Sequence, residues 1–138
     1  MRVLLDTNVL LDVLLERPPF NSEAGVIWQL TTEARITAYV TSTTLTDIFY
    51  LGRKQLNRER AWEAVHLCLE AFELLPVDQK TVMMAVSLSG KDFEDNLQVA
   101  CASIANLDAI ITRDKAGFSF SSVNALTPSD LIAQLASS

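Results

Sequence analysis

The sequence predicts an α/β fold built on a mostly parallel sheet, and three observations carry this. Short apolar runs containing β-branched residues alternate with longer segments of helical period, the pattern of strand and crossover helix. The junctions hold the right punctuation, with Asp, Thr, Ser and Asn ahead of helical stretches and Pro after one of them. Finally, 138 residues with 49% hydrophobic and 20% charged side chains suit one hydrophobic core, since a chain of this size buries roughly two-thirds of its unfolded surface. A single domain over residues 1–138 is therefore expected.

In order along the chain, Val3-Leu4-Leu5 reads as a short buried strand. Asp6-Thr7-Asn8 then offers caps for a helix from Val9 to Leu15, which Arg17-Pro18-Pro19 ends. Asn21 or Ser22 can cap a second helix bearing Val26, Ile27 and Leu30, and Ile36 to Val40 alternates as a second strand. Thr41-Ser42-Thr43-Thr44 caps a helix whose Leu45, Ile48, Phe49 and Gly52 share one face. Ala61, Ala64, Val65, Cys68, Leu69 and Phe72 form the next helical stripe. Leu74 to Val77 is a third strand broken by Pro76, and Asp78 caps a further helix. Asp92, Glu94 and Asp95 open a helix running to Ile104, with negative charge in the first turn where the helix dipole favours it. Asp108 to Thr112 is a fourth strand, Val123 marks a weak fifth, and Ser129 to Leu135 closes the chain after Pro128.

Composition narrows the function. A net charge of −6 argues against coating nucleic acid through overall charge, though not against a local site. Cys68 and Cys101 lie far apart in apolar stretches and read as buried reduced thiols, and His66 has no second histidine nearby, so no zinc site is expected. Neither a signal peptide nor a membrane span is visible, which points to the cytoplasm and away from membranes.

The acids are the informative residues. Asp6 follows the first strand, Asp114 follows the fourth by two residues, Asp95 starts the helix leading into it, and Asp47 lies early in the helix after the second strand. Ligands of open α/β sheets collect at the carboxyl ends of strands, so Asp6 and Asp114 share a crevice if strands one and four are neighbours. Two carboxylates about 5 Å apart repel by roughly 3 kcal/mol at an effective dielectric near 20. A cluster of four therefore implies raised pKa values or a cation, and oxygen ligands without His or Cys select Mg²⁺ or Mn²⁺. Phosphodiester hydrolysis is the matching reaction class. Singly, each acid has a plainer reading, Asp6 as a helix cap and Asp92, Glu94 and Asp95 as partners of the helix dipole. Asp12, six residues after Asp6, is expected to be solvated or capping.

The run Val3-Leu4-Leu5-Asp6-Thr7-Asn8-Val9-Leu10-Leu11-Asp12 resembles the opening of a PIN domain, the nuclease fold shared by VapC-like toxins. Asp92-Phe93-Glu94-Asp95-Asn96-Leu97-Gln98 with Ala100 and Ala102 resembles the family's third motif. Ile110-Ile111-Thr112-Arg113-Asp114 with Phe118 resembles its fourth, and Leu126-Thr127-Pro128-Ser129-Asp130-Leu131 its ending. The resemblance implies a three-layer α/β/α sandwich and a Mg²⁺- or Mn²⁺-dependent ribonuclease, the toxin of a toxin–antitoxin module. It also implies a homodimer inhibited by a cognate antitoxin. Asp6, Asp47, Asp95 and Asp114 would be the catalytic acids, with Asp6, Asp95 and Asp114 on the metal. Thr7 and Asn8 would orient the loop, Thr112 would hydrogen-bond within the site, and Asp92 would stand in the outer shell. Two departures stand out. Asp47 occupies a position usually Glu, and Asp114 and Gly117 stand where members often have Asn and Asp, as if the fourth carboxylate had moved by three residues.

For the RNA substrate, the stretch Arg53 to Arg60 holds Arg53, Lys54, Arg58 and Arg60 against Glu59, a basic segment able to grip phosphates. Arg113 and Lys115 are further RNA-binding candidates, as are Arg17 and Lys91. No aromatic-rich motif for reading unpaired bases is visible. Two bound divalent cations would bring the net charge from −6 to −2, so RNA contact is expected to depend on the metal. Two alternatives remain open: a PIN-fold RNA- or protein-binding module without catalysis, and a Mg²⁺-binding receiver-like signalling domain.

Overall fold

The computed structural model describes all residues, Met1–Ser138. The elements run β1 (Arg2–Leu5), α1 (Thr7–Leu14), α2 (Phe20–Thr32), β2 (Thr37–Thr41), α3 (Ser42–Gln55), α4 (Arg58–Ala71), β3 (Glu73–Leu75), α5 (Gln79–Ser87), α6 (Phe93–Ile104), β4 (Ala109–Ile111), a single 3-10 turn at Ala116–Phe118, β5 (Asn124–Leu126) and α7 (Pro128–Ala136). The five strands form one sheet in the order β3-β2-β1-β4-β5, and every pairing is parallel. This order excludes the receiver-like alternative, whose sheet runs 2-1-3-4-5.

Strand alternation builds the layers. Val3, Leu5, Ala109 and Ile111 face a core shared with Val9 and Leu10 of α1, Ile27 of α2, Ile48 of α3, Cys68 of α4 and Leu131 of α7. Leu4 and Ile110 point the other way, onto Val99 and Ala102 of α6 and onto Phe118. A strand covered on both faces needs apolar side chains at every position, which is why β1 and β4 read as unbroken apolar runs. Burial pushes the Cys68 thiol up to about 12 and the Cys101 thiol up to about 11, so both stay neutral.

Capping follows the expected chemistry at Thr41, Asp78 and Asp92, whose side chains accept from the amides of Thr44, Thr81 and Asp95. Several boundaries differ from expectation, each for a local reason. The second helix begins at Phe20, ahead of Asn21 and Ser22, with no side-chain cap. The third strand ends at Leu75, one residue before Pro76. The last helix starts at Pro128, because Thr127 and Asp130 close a capping box around it. Val123 lies outside β5, since its amide donates to Ser121 Oγ at 3.0 Å and its carbonyl accepts from that hydroxyl at 2.7 Å.

Candidate active site

In this strand order the chain direction of winding reverses between β1 and β4, so a crevice opens beyond their carboxyl ends. Leu5 pairs with Ile111, which places the next residues, Asp6 and Thr112, side by side at its floor. Asp6 occupies the N-cap position of α1, yet its side chain makes no capping bond. Its carboxylate is instead held from two sides, Oδ2 accepting from the Thr112 hydroxyl at 2.8 Å and Oδ1 from the Gln98 amide at 3.0 Å. A simple helix cap has no use for donors from α6 and from beyond β4, so the capping reading of Asp6 fails. Gln98 is fully buried, and its own Oε1 has no partner.

The other acids arrive from separate elements. Asp47 comes from α3, Glu94 and Asp95 from the first turn of α6, and Asp114 from the loop after β4. Glu94 is pushed up to about 8, first by a hydrogen bond with the Asp47 carboxyl, then by burial and by the charges of Asp47, Asp6 and Asp92. Glu94 therefore keeps its proton well above the usual carboxylate range. Asp95 is raised to about 6 by burial and by Asp92, Asp6 and Asp114. The four acids singled out from the sequence thus stand in one electrostatic field. Glu94 belongs to it too, and reading it only as a partner of the helix dipole missed that. Thr7 links the cluster to α3, its hydroxyl lying 2.9 Å from the Thr44 hydroxyl and donating to Glu94 Oε1 at 3.4 Å. Asn8 is exposed and accepts from Arg17 instead. Asp92 caps α6.

The departure at Asp114 and Gly117 has a steric counterpart. Asp114 is anchored through its amide to Thr112 Oγ1 at 3.0 Å, and its Oδ1 accepts from the Gly117 amide at 3.0 Å. A Cβ at position 117 would collide with Asp114 Oδ2. The carboxyl at 114 fills the space that a side chain at 117 would take.

As the side chains stand, no three of these acids form a ready-made ligand set for a metal. The donor chemistry and the charge nevertheless fit a divalent cation. All the donors are oxygens, and each ion pair in the chain lies elsewhere, on Asp12, Glu63 or Asp130. No ion pair neutralises these acids, so Glu94 holds its proton into the neutral range, and a divalent cation would favour its ionised form. The consequence is testable. Because the folded-state values of Glu94 and Asp95 exceed their ordinary 4.5 and 3.8, the native state holds extra protons between about pH 4 and about pH 8. Stability of the metal-free protein falls as pH rises through that window. Thermal unfolding in EDTA should give a lower Tm at pH 8 than at pH 5.5, and Mn²⁺ should raise Tm more at pH 8.

Asp12 corrects the expectation of a solvated or capping residue. It is 1% exposed and binds two arginines, Arg17 Nε at 2.9 Å and Arg113 Nε at 2.7 Å. The basic segment is more distant. Arg53 and Lys54 end α3, and Arg58 and Arg60 begin α4, so Arg53 lies about 9 Å beyond Asp47 along the α3 axis. Lys115, beside the crevice, pairs with Asp130 at 3.0 Å.

Comparison with known proteins agrees with this architecture. The family model described as PIN domain matches residues 2–116. Among solved structures, DNA-bound VapBC from Salmonella typhimurium is similar with a TM-score of 0.74 at 18% identity, over 93% of this chain and 98% of that one. VapBC2 from Rickettsia felis, bound to a promoter DNA fragment, gives 0.73 at 15% identity over 92% and 98%. VapC20 from Mycobacterium tuberculosis, described as a sarcin-ricin loop cleaving toxin, gives 0.64 at 12% identity over 78% and 86%. No curated protein matches the chain in sequence. With a model of the family matched over most of its length and the same fold in these structures, the chain belongs to the PIN domain family.

Proposed function

We propose that this protein is a Mg²⁺- or Mn²⁺-dependent endoribonuclease and the toxin of a toxin–antitoxin pair. The observation that carries the reading is the Asp6 carboxylate, withdrawn from helix capping and fixed by Thr112 and Gln98 among Asp47, Glu94, Asp95 and Asp114. Asp6, Asp95 and Asp114 would hold the cation, which when bound supplies Lewis-acid polarisation of the phosphodiester and neutralises its charge. Thr112 and Gln98 keep Asp6 in one orientation, and Glu94, raised by its neighbours, holds a proton beside it. The basic turn between α3 and α4 would contact RNA backbone away from the scissile bond. Two apolar faces fit protein partners: exposed Trp62 of α4 packed edge-on against half-buried Phe49 of α3, and exposed Met83 and Val86 on α5. A homodimer contact and an antitoxin contact are the two partners this reading needs. No helix is long and apolar enough to cross a membrane, and the reading places the enzyme in the cytoplasm.

Labelled RNA tests the proposal. Cleavage with Mg²⁺ should disappear in EDTA, return with Mn²⁺, and fall by at least about 100-fold in Asp95→Asn. Equal cleavage in every sample would refute it, and RNA bound but never cut under any metal would mark a binding module.

A further inference from the structure

We propose that the cavity between α2 and the start of α7 seats an unpaired guanine of the RNA next to the scissile bond, a subsite that rests on the ribonuclease reading. The cavity measures about 260 Å³ and is lined by Phe20 and Glu23, by Asp12 and Arg113, and by the first residues of α7. Phe20 and Glu23 are three apart in the first turn of α2, so their side chains are neighbours. Phe20 is 45% exposed, a large aromatic ring left to solvent. The Arg113 guanidinium lies over it, 4.0 Å from the ring centroid.

That guanidinium is not free to move away. Its Nε is 2.7 Å from Asp12 Oδ2 and its Nη2 donates to Asp12 Oδ1 at 3.2 Å. Ring and guanidinium therefore form a fixed flat platform, the kind on which single-stranded bases stack. Little ordering cost remains when a base arrives.

Charge decides which part of a nucleotide enters. Asp12 is shared by Arg113 and Arg17, and Glu23 balances the charge left over, so the cavity is close to neutral and holds no unpaired cation for a phosphate. At the start of α7 the Thr127 and Asp130 amides are taken up by the capping box and Pro128 has no amide, which leaves Ser129 as its one polar group on the cavity. The charged acceptor that the wall presents is the Glu23 carboxylate. Guanine alone offers one carboxylate two adjacent N–H donors, at N1 and N2, on its Watson–Crick edge.

The position suits a nucleotide neighbouring the reacting one. Arg113 stands between Thr112 and Asp114, and side chains alternate along this segment. Thr112 meets Asp6 in the crevice, whereas Arg113 meets Asp12 of α1 on the opposite side. RNA crossing the end of β4 reaches the carboxylates and the platform with consecutive nucleotides.

Fluorescence anisotropy of labelled octauridylate, with and without one central guanosine, tests this in Ca²⁺, followed by mapping of cut sites in Mg²⁺. The wild-type protein should bind the guanosine oligomer at least about fivefold more tightly and cut at a fixed step from the guanosine. Phe20→Leu should lose about tenfold in affinity for that oligomer with an unchanged Tm, and Phe20→Trp should retain it. Glu23→Gln should abolish the preference and leave octauridylate affinity unaltered. Binding by wild-type protein together with unchanged affinity in Phe20→Leu, or unchanged preference in Glu23→Gln, would overturn the subsite alone. Failure of the wild-type protein to bind or cut either RNA would overturn the ribonuclease reading and the subsite with it.

Discussion

Asp6→Asn should reduce metal-dependent RNA cleavage by about 10³-fold, roughly 4 kcal/mol of transition-state stabilisation, while leaving the fold intact. The loss follows from geometry. Asp6 is the carboxylate at which α6 and the segment after β4 meet, through Gln98 and Thr112, and an amide is a far weaker ligand for a hard cation. The fold survives because of Gln98. In the wild-type protein its Nε2 serves Asp6 while its buried Oε1 has no partner. Rotating that amide by half a turn presents the orphaned oxygen to the NH₂ of the new asparagine, and the Thr112 hydroxyl keeps its acceptor. Removing one charge from a crowd of acids also relieves repulsion, so the Tm in EDTA should equal or exceed that of the wild type. The Tm gain on adding Mn²⁺ should shrink or vanish. Cleavage within tenfold of wild type would remove Asp6 from the reaction. A collapsed Tm in EDTA would show that its hydrogen bonds serve folding instead.

Much of this was readable from the residues themselves. The apolar runs of β1 and β4 announce strands covered on both faces, and Thr41, Asp78 and Asp92 announce helix starts, because both signals depend on neighbours in sequence. The acids Asp6, Asp47, Asp95 and Asp114 were readable as candidates for the same reason, since each sits beside an element end. What escaped depends on distant neighbours. Glu94 looks like any acid in a first turn until α3 brings Asp47 against it. Gln98 has the spacing of an ordinary helical residue, and only the packing of α6 on β1 aims its amide at Asp6. Asp12 has polar chemistry but a core position, which makes sense only once Arg17 and Arg113 converge on it from different parts of the chain. Phe20, a lone aromatic after two prolines, becomes a platform only beneath Arg113.

The convergence on Asp12 carries the largest expected effect on stability. Asp12→Ala should cost about 3 kcal/mol, seen as a fall in Tm of roughly 10 °C for a chain of this size. Removing one member of a buried ion cluster is costly because the partners keep their charge, and here two guanidiniums would be left facing each other. The figure sits at the low end for such losses because both arginine side chains are about one-third exposed and regain water when released. Arg17→Ala should cost only about 1 kcal/mol, since Asp12 keeps both contacts to Arg113 and what is lost beyond the ion pair is the pair of bonds to Asn8. The two variants separate stability from binding. Asp12→Ala frees Arg113 from its fixed place over Phe20 and should weaken binding of the guanosine-containing oligomer, whereas Arg17→Ala leaves that platform standing and should bind it as the wild type does. Thermal unfolding beside the same anisotropy titration measures both, and a melt within 2 °C of wild type for Asp12→Ala would mean that the arginines hold the carboxylate without stabilising the fold.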